Sequence, residues 1–280
     1  MNTPYLVAHV TDLHIKAGGK LSYRMVDTAG ALHRWIDTLL ALPQRPDLVI
    51  ITGDLVDFGA EAEYRFLRDI LQRLPVPYRL LPGNHDSRSQ LRAVFADHDY
   101  LFDNGDGEAP VHYAIDAGPL RLVGFDCTVP GKPGGRVDPA ALPWLQAALA
   151  AAPATPTLLL LHHPPFYTGI GHMDEQGLDN AAALEAIVRQ HPQVERVLCG
   201  HLHRHITRRF AGTIAITAPG PAHQVALDLD PQAPSRFRVE PPGYLLHWWH
   251  PQHGLVTHAA AIGEYGAAHP FFDAQGKLID

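Results

Sequence analysis

An apolar run, a polar or Gly-containing turn and a helix-like stretch follow one another repeatedly along the first two-thirds of the chain. YLVAHV (5–10), DLVIIT (47–52), PYRLLP (77–82), LRLVGF (120–125), TLLLLH (157–162) and RVLCG (196–200) are short and apolar, which predicts buried strands. Between them the pattern predicts helices over 24–42, 60–74, 87–97, 138–152 and 178–191. The helix at 138 opens on Asp138-Pro139, an N-cap followed by proline in the first turn. Apolar strands alternating with helices belong to an α/β layered fold whose strands are buried on both faces. After about residue 205 the helical pattern stops, and 213–220, 223–230, 244–250 and 254–262 read as strands. The last two, joined by PQH, form an expected hairpin. The pattern describes one domain over 1–262 with a mostly β C-terminal part, then a Gly-rich, aromatic tail over 263–280.

Composition narrows the classes. A chain of 280 residues is long enough for one large, well-buried domain. Hydrophobic residues at 46% and charged residues at 18% fit a soluble globular protein. A net charge of −7 without a basic run argues against a nucleic-acid surface. No stretch approaches the roughly 18 apolar residues of a membrane span, and the N-terminus lacks the features of a signal peptide. The two cysteines, Cys127 and Cys199, suggest a reducing compartment. A cytoplasmic protein without nucleic-acid or membrane partners is therefore expected.

The polar residues that follow the strands are more informative. After 5–10 come Asp12 and His14; after 47–52, Asp54; after 77–82, Asn84, His85 and Asp86; after 157–161, His162 and His163; after 196–199, His201 and His203. In open α/β sheets, ligands bind beyond the carboxyl ends of strands, so these five turns should converge on one crevice. Asp12 and His14, like His201 and His203, are two apart, and in extended backbone such pairs project to one side. Gly53, Gly83 and Gly200 precede the polar groups and let the backbone come close. Oxygen and imidazole donors without thiolate suit manganese, iron or zinc. Seven candidate ligands exceed what one catalytic ion takes, but fit two if a carboxylate bridges. Two ions roughly 3.5–4 Å apart clamp the oxygens in phosphoryl-transfer hydrolysis.

The ordered blocks DLH, GD, GNHD, HHPP and GHLH resemble those of the calcineurin-like metallophosphoesterase superfamily. Within it the chain is similar to the bacterial class III cyclic-nucleotide phosphodiesterase and glycerophosphodiesterase branch, over about residues 5–225. The resemblance implies a four-layer α-β-β-α sandwich. It implies that Asp12, His14 and His203 hold a first metal ion, that Asn84, His162 and His201 hold a second, and that Asp54 bridges them. It implies that His85 faces the substrate phosphate as the catalytic residue. The implied reaction is in-line attack by a metal-bridging hydroxide on a small phosphodiester, a 3′,5′-cyclic nucleotide or a glycerophosphodiester. Asp57 and Asp86 are read as orienting their turns, and His163 and Cys199 as structural.

Two other functions stay open at this point. A phosphomonoesterase or nucleotidase would need extra cations for a dianion, with Lys16, Lys20, Arg24, Arg88 and Lys132 as candidates. A non-catalytic scaffold would require lost ligands, and the set is complete. Selectivity among diesters is assigned to the loops after the strands, with Phe166, Tyr167 and His172 facing the leaving group. The branch also implies a homo-oligomer, a dimer or larger, with the hairpin and the tail 263–280 as its contact.

Overall fold

The computed structural model describes residues 3–279. From β1 (Tyr5–Val10) the chain runs through α1 (Thr28–Leu40), β2 (Leu48–Thr52), α2 (Glu61–Leu71), β3 (Tyr78–Leu81) and α3 (Arg88–Val94). It continues with the hairpin β4 (Tyr113–Ala117) and β5 (Leu120–Gly124), the short β6 (Gly135–Arg136) and α4 (Leu142–Ala150). Then come β7 (Thr157–Leu160), α5 (Gly171–Asp174), β8 (Leu178–Asp179), α6 (Ala181–Val188) and β9 (Val194–Cys199). The remaining elements are strands: β10 (Ile206–Phe210), β11 (Thr213–Thr217), β12 (Gln224–Val225), β13 (Phe237–Arg238), β14 (Gly243–His250) and β15 (Gly254–Ala261).

Two large sheets form the sandwich. The first has the order β15-β14-β1-β2-β3, and the second β10-β11-β9-β7-β5-β4. Parallel pairing runs through β1–β2–β3, from the middle of the first sheet to its edge, and through β5–β7–β9–β11 at the centre of the second. The sheets share one core: Val7, Ile50 and Leu80 of the first cluster with Leu122, Leu158 and Leu198 of the second. Trp35 and Ile36 of α1 and Tyr64 and Leu67 of α2 belong to the same cluster and cover the first sheet's outer face. Leu145 and Leu149 of α4 and Leu184 and Val188 of α6 cover the second. The α/β layering expected from the pattern is therefore present.

Three differences bear on the site. The helix expected over 24–42 begins only at Thr28, because the Asp27 carboxylate accepts from the Gly30 amide and caps it there. Residues 20–26 instead form a loop at the site. The strand expected over 223–230 shrinks to Gln224–Val225, paired with Phe237–Arg238, and Leu227 and Leu229 stand exposed. The alternating pattern there reflects a two-stranded ribbon, not a core strand. The β14–β15 hairpin forms as expected. Beyond it, Gly263–Ile279 is exposed, with Phe271, Phe272, Leu278 and Ile279 uncovered and a small turn closed between Phe272 and Leu278.

Candidate metal centre

The five strands β1, β2, β3, β7 and β9 end on the same side of the sandwich, and their polar turns meet there. Asp12, His14, Asp54 and His203 place ligand atoms within 4.8 Å of one another. Oδ2 of Asp54 lies 3.6 Å from Nε2 of His14 and 3.4 Å from Nε2 of His162, so this carboxylate stands between the two halves of the cluster. Nε2 of His162 is 3.1 Å from Oδ1 of Asn84. Nε2 of His203 is 3.5 Å from Oδ1 of Asp12. Asp12, His14, Asp54, His162, His201 and His203 are all buried, while Asn84 and His85 are half-buried at the cleft.

The backbone achieves this convergence in an unexpected way. Asp12 (φ 56°), His14 (46°), Asp54 (47°), His201 (70°) and His203 (51°) all adopt left-handed conformations. The extended backbone expected for the Asp12/His14 and His201/His203 pairs is replaced by this strained one. Such conformations persist in non-glycine residues only where surroundings enforce them, and they concentrate at functional sites. The glycines serve a related need. A Cβ on Gly53 would lie 2.3 Å from Nδ1 of His162, one on Gly83 2.2 Å from Oδ1 of Asp54, and one on Gly200 2.0 Å from Oγ1 of Thr11. No side chain fits at these three turns.

Hydrogen bonds to the imidazoles fix which nitrogen of each can bind a cation. A carbonyl only accepts, so the ring nitrogen facing it carries the proton. Nδ1 of His162 donates to the Thr52 carbonyl (2.8 Å), Nδ1 of His203 to the His223 carbonyl (3.1 Å), and Nε2 of His201 to the Gln176 carbonyl (3.1 Å). Nδ1 of His14 faces the Asp57 carboxylate at 3.2 Å. This is the outer-shell arrangement that orients metal-binding histidines. It leaves the Nε2 lone pairs of His14 and His203 aimed at each other across 3.2 Å. Two converging lone pairs, with the buried Oδ2 of Asp12 lacking a hydrogen-bond partner, suit a cation. His163 is different: its Nε2 donates to the Pro133 carbonyl and its Nδ1 faces the Cys127 thiol, so the ring is fully used.

The electrostatics agree. Burial pushes the Asp12 carboxyl up to about 6. Burial also opposes ionisation of Asp54, but the adjacent His162 outweighs it and holds the carboxyl well below its usual range. Burial opposes protonation of His162, yet Asp54 and Asp12 raise it to about 9. The His162 proton thus supplies positive charge that a bound metal would replace, and metal binding should release it.

A cleft of about 310 Å³ opens onto the cluster. His85 lines it; its Nδ1 donates to the Asp57 carbonyl (2.9 Å), leaving Nε2 as the free nitrogen. The loop after β1, one of those expected to set selectivity, contributes Tyr23 to the cleft, whereas sequence reasoning missed His223, Arg236 and Phe237. His223 is buried, with its ring 4.5 Å from that of His203, and Tyr23 stacks on Phe237 at 4.7 Å. These residues lie outside any motif, on segments far apart in the chain. Of the three expected selectivity residues, His172 lines the cleft, Phe166 is buried and Tyr167 points to solvent. Asp57 does more than orient a turn, since it binds His14 and Lys16.

This arrangement can be compared with known proteins. The calcineurin-like phosphoesterase family profile matches residues 5–205. The chain belongs to that family. Its relatives include the probable glycerophosphodiester phosphodiesterase GpdQ of Arcobacter nitrofigilis, 38% identical over 98% of this chain and 100% of the relative. They also include the 3′,5′-cyclic adenosine monophosphate phosphodiesterase CpdA of Escherichia coli, 28% identical over 76% of this chain and 74% of the relative. A dimetal phosphatase from Danio rerio shares the calcineurin-like fold, with a TM-score of 0.59 at 16% identity, over 92% of this chain and 99% of that one. Among the described residues of this phosphoesterase, no helix is long and apolar enough to cross a membrane.

Proposed function

We propose that this phosphoesterase hydrolyses small phosphodiesters, 3′,5′-cyclic nucleotides or glycerophosphodiesters, at a two-metal centre. Asp12, His14 and His203 hold the first ion, Asn84, His162 and His201 the second, and Asp54 bridges them. Manganese, iron and zinc suit this donor set. The observation that carries the reading is the meeting of all seven donors at a cleft whose lining, among the described residues, includes one cationic side chain, Arg236. A diester monoanion needs no more. When bound, the two ions supply Lewis-acid charge to the phosphoryl oxygens and acidify a water for attack at phosphorus.

The chain's own residues orient and exclude. Asp57 and the carbonyls of Thr52, Gln176 and His223 fix the four imidazoles, so little reorganisation is left for the reaction. His85 offers Nε2 to the phosphate and the leaving alkoxide, where it stabilises charge or delivers a proton as the P–O bond breaks. The monoesterase reading loses its best candidate cation. Arg88 is buried and committed to Asp126 (2.7 Å) and to the Thr128 carbonyl (2.8 Å). Lys16 pairs with Asp57 at 3.4 Å. The complete donor set argues against a scaffold.

The proposal extends to a cytoplasmic enzyme with one domain over 1–262, in which the tail 263–280 contacts a second copy. The exposed Phe271 and Phe272 support that contact. The direct test reconstitutes metal-free protein with manganese. It is then offered cyclic AMP, glycerophosphoethanolamine, bis(p-nitrophenyl) phosphate and p-nitrophenyl phosphate. Diester turnover well above monoester turnover is expected; preference for the monoester would refute the reading.

A further inference from the structure

Between the two sheets runs a row of polar side chains that the reaction above does not use. His9 on β1, Thr52 at the end of β2 and His247 on β14 are completely buried. Oγ1 of Thr257 on β15 lies 2.9 Å from Nδ1 of His247, Nε2 of His247 lies 3.4 Å from Nδ1 of His9, and Nε2 of His9 lies 2.8 Å from Oγ1 of Thr52. A neutral imidazole gives one proton and accepts one, so the row closes without charge whichever way it runs. Beside it Leu245, two residues from His247 on β14, packs on Ile216 and Ala218 of the other sheet. Apolar residues would fill this layer at lower desolvation cost, so packing alone does not account for the row.

The row ends on a residue with a second task. While Oγ1 of Thr52 is hydrogen-bonded to His9, its carbonyl accepts from Nδ1 of His162 at 2.8 Å and from Oγ1 of Thr11 at 3.2 Å. Thr52 is the last residue of β2, and Gly53 and Asp54 then turn away with positive φ. The orientation of its peptide is thus set largely by side chains. A threonine tied through Oγ1 is restricted at χ1 and anchors the strand end.

Resting on the reading of His162 as a ligand of the second ion, we propose that His9 is a positioning residue for that ion. Through Thr52 it fixes the carbonyl that sets the tautomer and direction of His162, and His247 holds His9 in place. The row thereby ties the C-terminal hairpin to the metal centre.

Manganese binding by the full chain tests this, with melting curves recorded alongside. Thr52→Val replaces the Oγ1 hydroxyl with a methyl group of similar size. Gln at position 9 sets a polar atom where Nε2 was, and Asn sets one only where Nδ1 was. Thr52→Val and His9→Asn are expected to weaken the second manganese ion on the order of 10–100-fold, as loss of an outer-shell partner does, with the first ion unchanged. His9→Gln should restore most of the affinity, and the Thr52→Val/His9→Asn double variant should be no weaker than either single one. If both single variants bind two ions as tightly as the wild type, the row is packing alone and the proposal is overturned. Equal weakening of both ions also overturns it, since that marks general loosening. A wild-type chain that binds fewer than two ions would instead refute the two-metal reading beneath it.

Discussion

Gly53→Ala isolates steric exclusion at the metal centre. The added Cβ would stand 2.3 Å from Nδ1 of His162 and 2.8 Å from the Gly83 amide nitrogen. Ordinary contact between non-bonded heavy atoms begins at roughly 3.5 Å, so the imidazole must retreat by about 1 Å. That movement breaks the 2.8 Å hydrogen bond to the Thr52 carbonyl. A misplacement of about 1 Å at a reacting centre costs on the order of 100-fold in rate, and a lost outer-shell bond costs about 10–100-fold in metal affinity. The φ of 99° adds backbone strain of about 1–2 kcal/mol. Gly212 separates the two effects, because its φ is 95° but nothing lies within 4 Å of its Cβ position. Gly212→Ala should therefore lower the melting temperature comparably while keeping both manganese ions and full turnover. Gly53→Ala should lose the second ion and on the order of 100-fold in turnover. Equal manganese affinity and turnover within about twofold of wild type for Gly53→Ala would refute the claim that glycine is there to admit His162.

Four further outcomes are expected. Asn84→Ala should release the second ion while the first stays tight, read by metal content after dialysis; retention of two ions would disprove that assignment. Arg88→Met leaves the Asp126 carboxylate buried without its partner. Unfolding in urea should show a loss of about 3–5 kcal/mol, with the diester-to-monoester ratio unchanged if Arg88 takes no part in substrate binding. Burial holds His9 down at about 3, against an ordinary value near 6.5. As pH falls below about 6.5 the unfolded chain takes up a proton that the folded chain refuses, so stability declines towards pH 3. The metal-free wild type should lose about 1.4 kcal/mol more than His9→Gln between pH 7.5 and 5.5, measured by urea unfolding. Truncation after Ile262 should reduce the particle mass to that of fewer copies in light scattering; an unchanged number of copies would exclude the tail as the contact.

The strands that were legible in the sequence are the ones that carry the site. β1, β2 and β7 are buried almost throughout, and β3 and β9 are buried at their C-terminal ends, so each reads as an apolar run ending abruptly in the donors. β4 and β10 went unread because they are the two edges of the second sheet. Ile206–Phe210 exposes Thr207, Arg208 and Arg209, which hides its strand character. At the site, motif spacing identified the donors but not how they are aimed. Left-handed backbone at Asp12 and His203 is imposed by tertiary contacts that local propensity does not encode. His223 and Phe237 reach the cleft from a ribbon of two-residue strands, too short for any periodic signal. Arg88 looked like a free cation because its partner, Asp126, is 38 residues away.

The central claim is that two metal ions, together, make this cleft a diesterase. Metal-free protein titrated with manganese, assayed at each equivalent with bis(p-nitrophenyl) phosphate and p-nitrophenyl phosphate, tests it most directly. Diester turnover is expected to appear mainly between the first and second equivalents and to exceed monoester turnover throughout. Full activity at one equivalent, or faster cleavage of the monoester, would contradict the account.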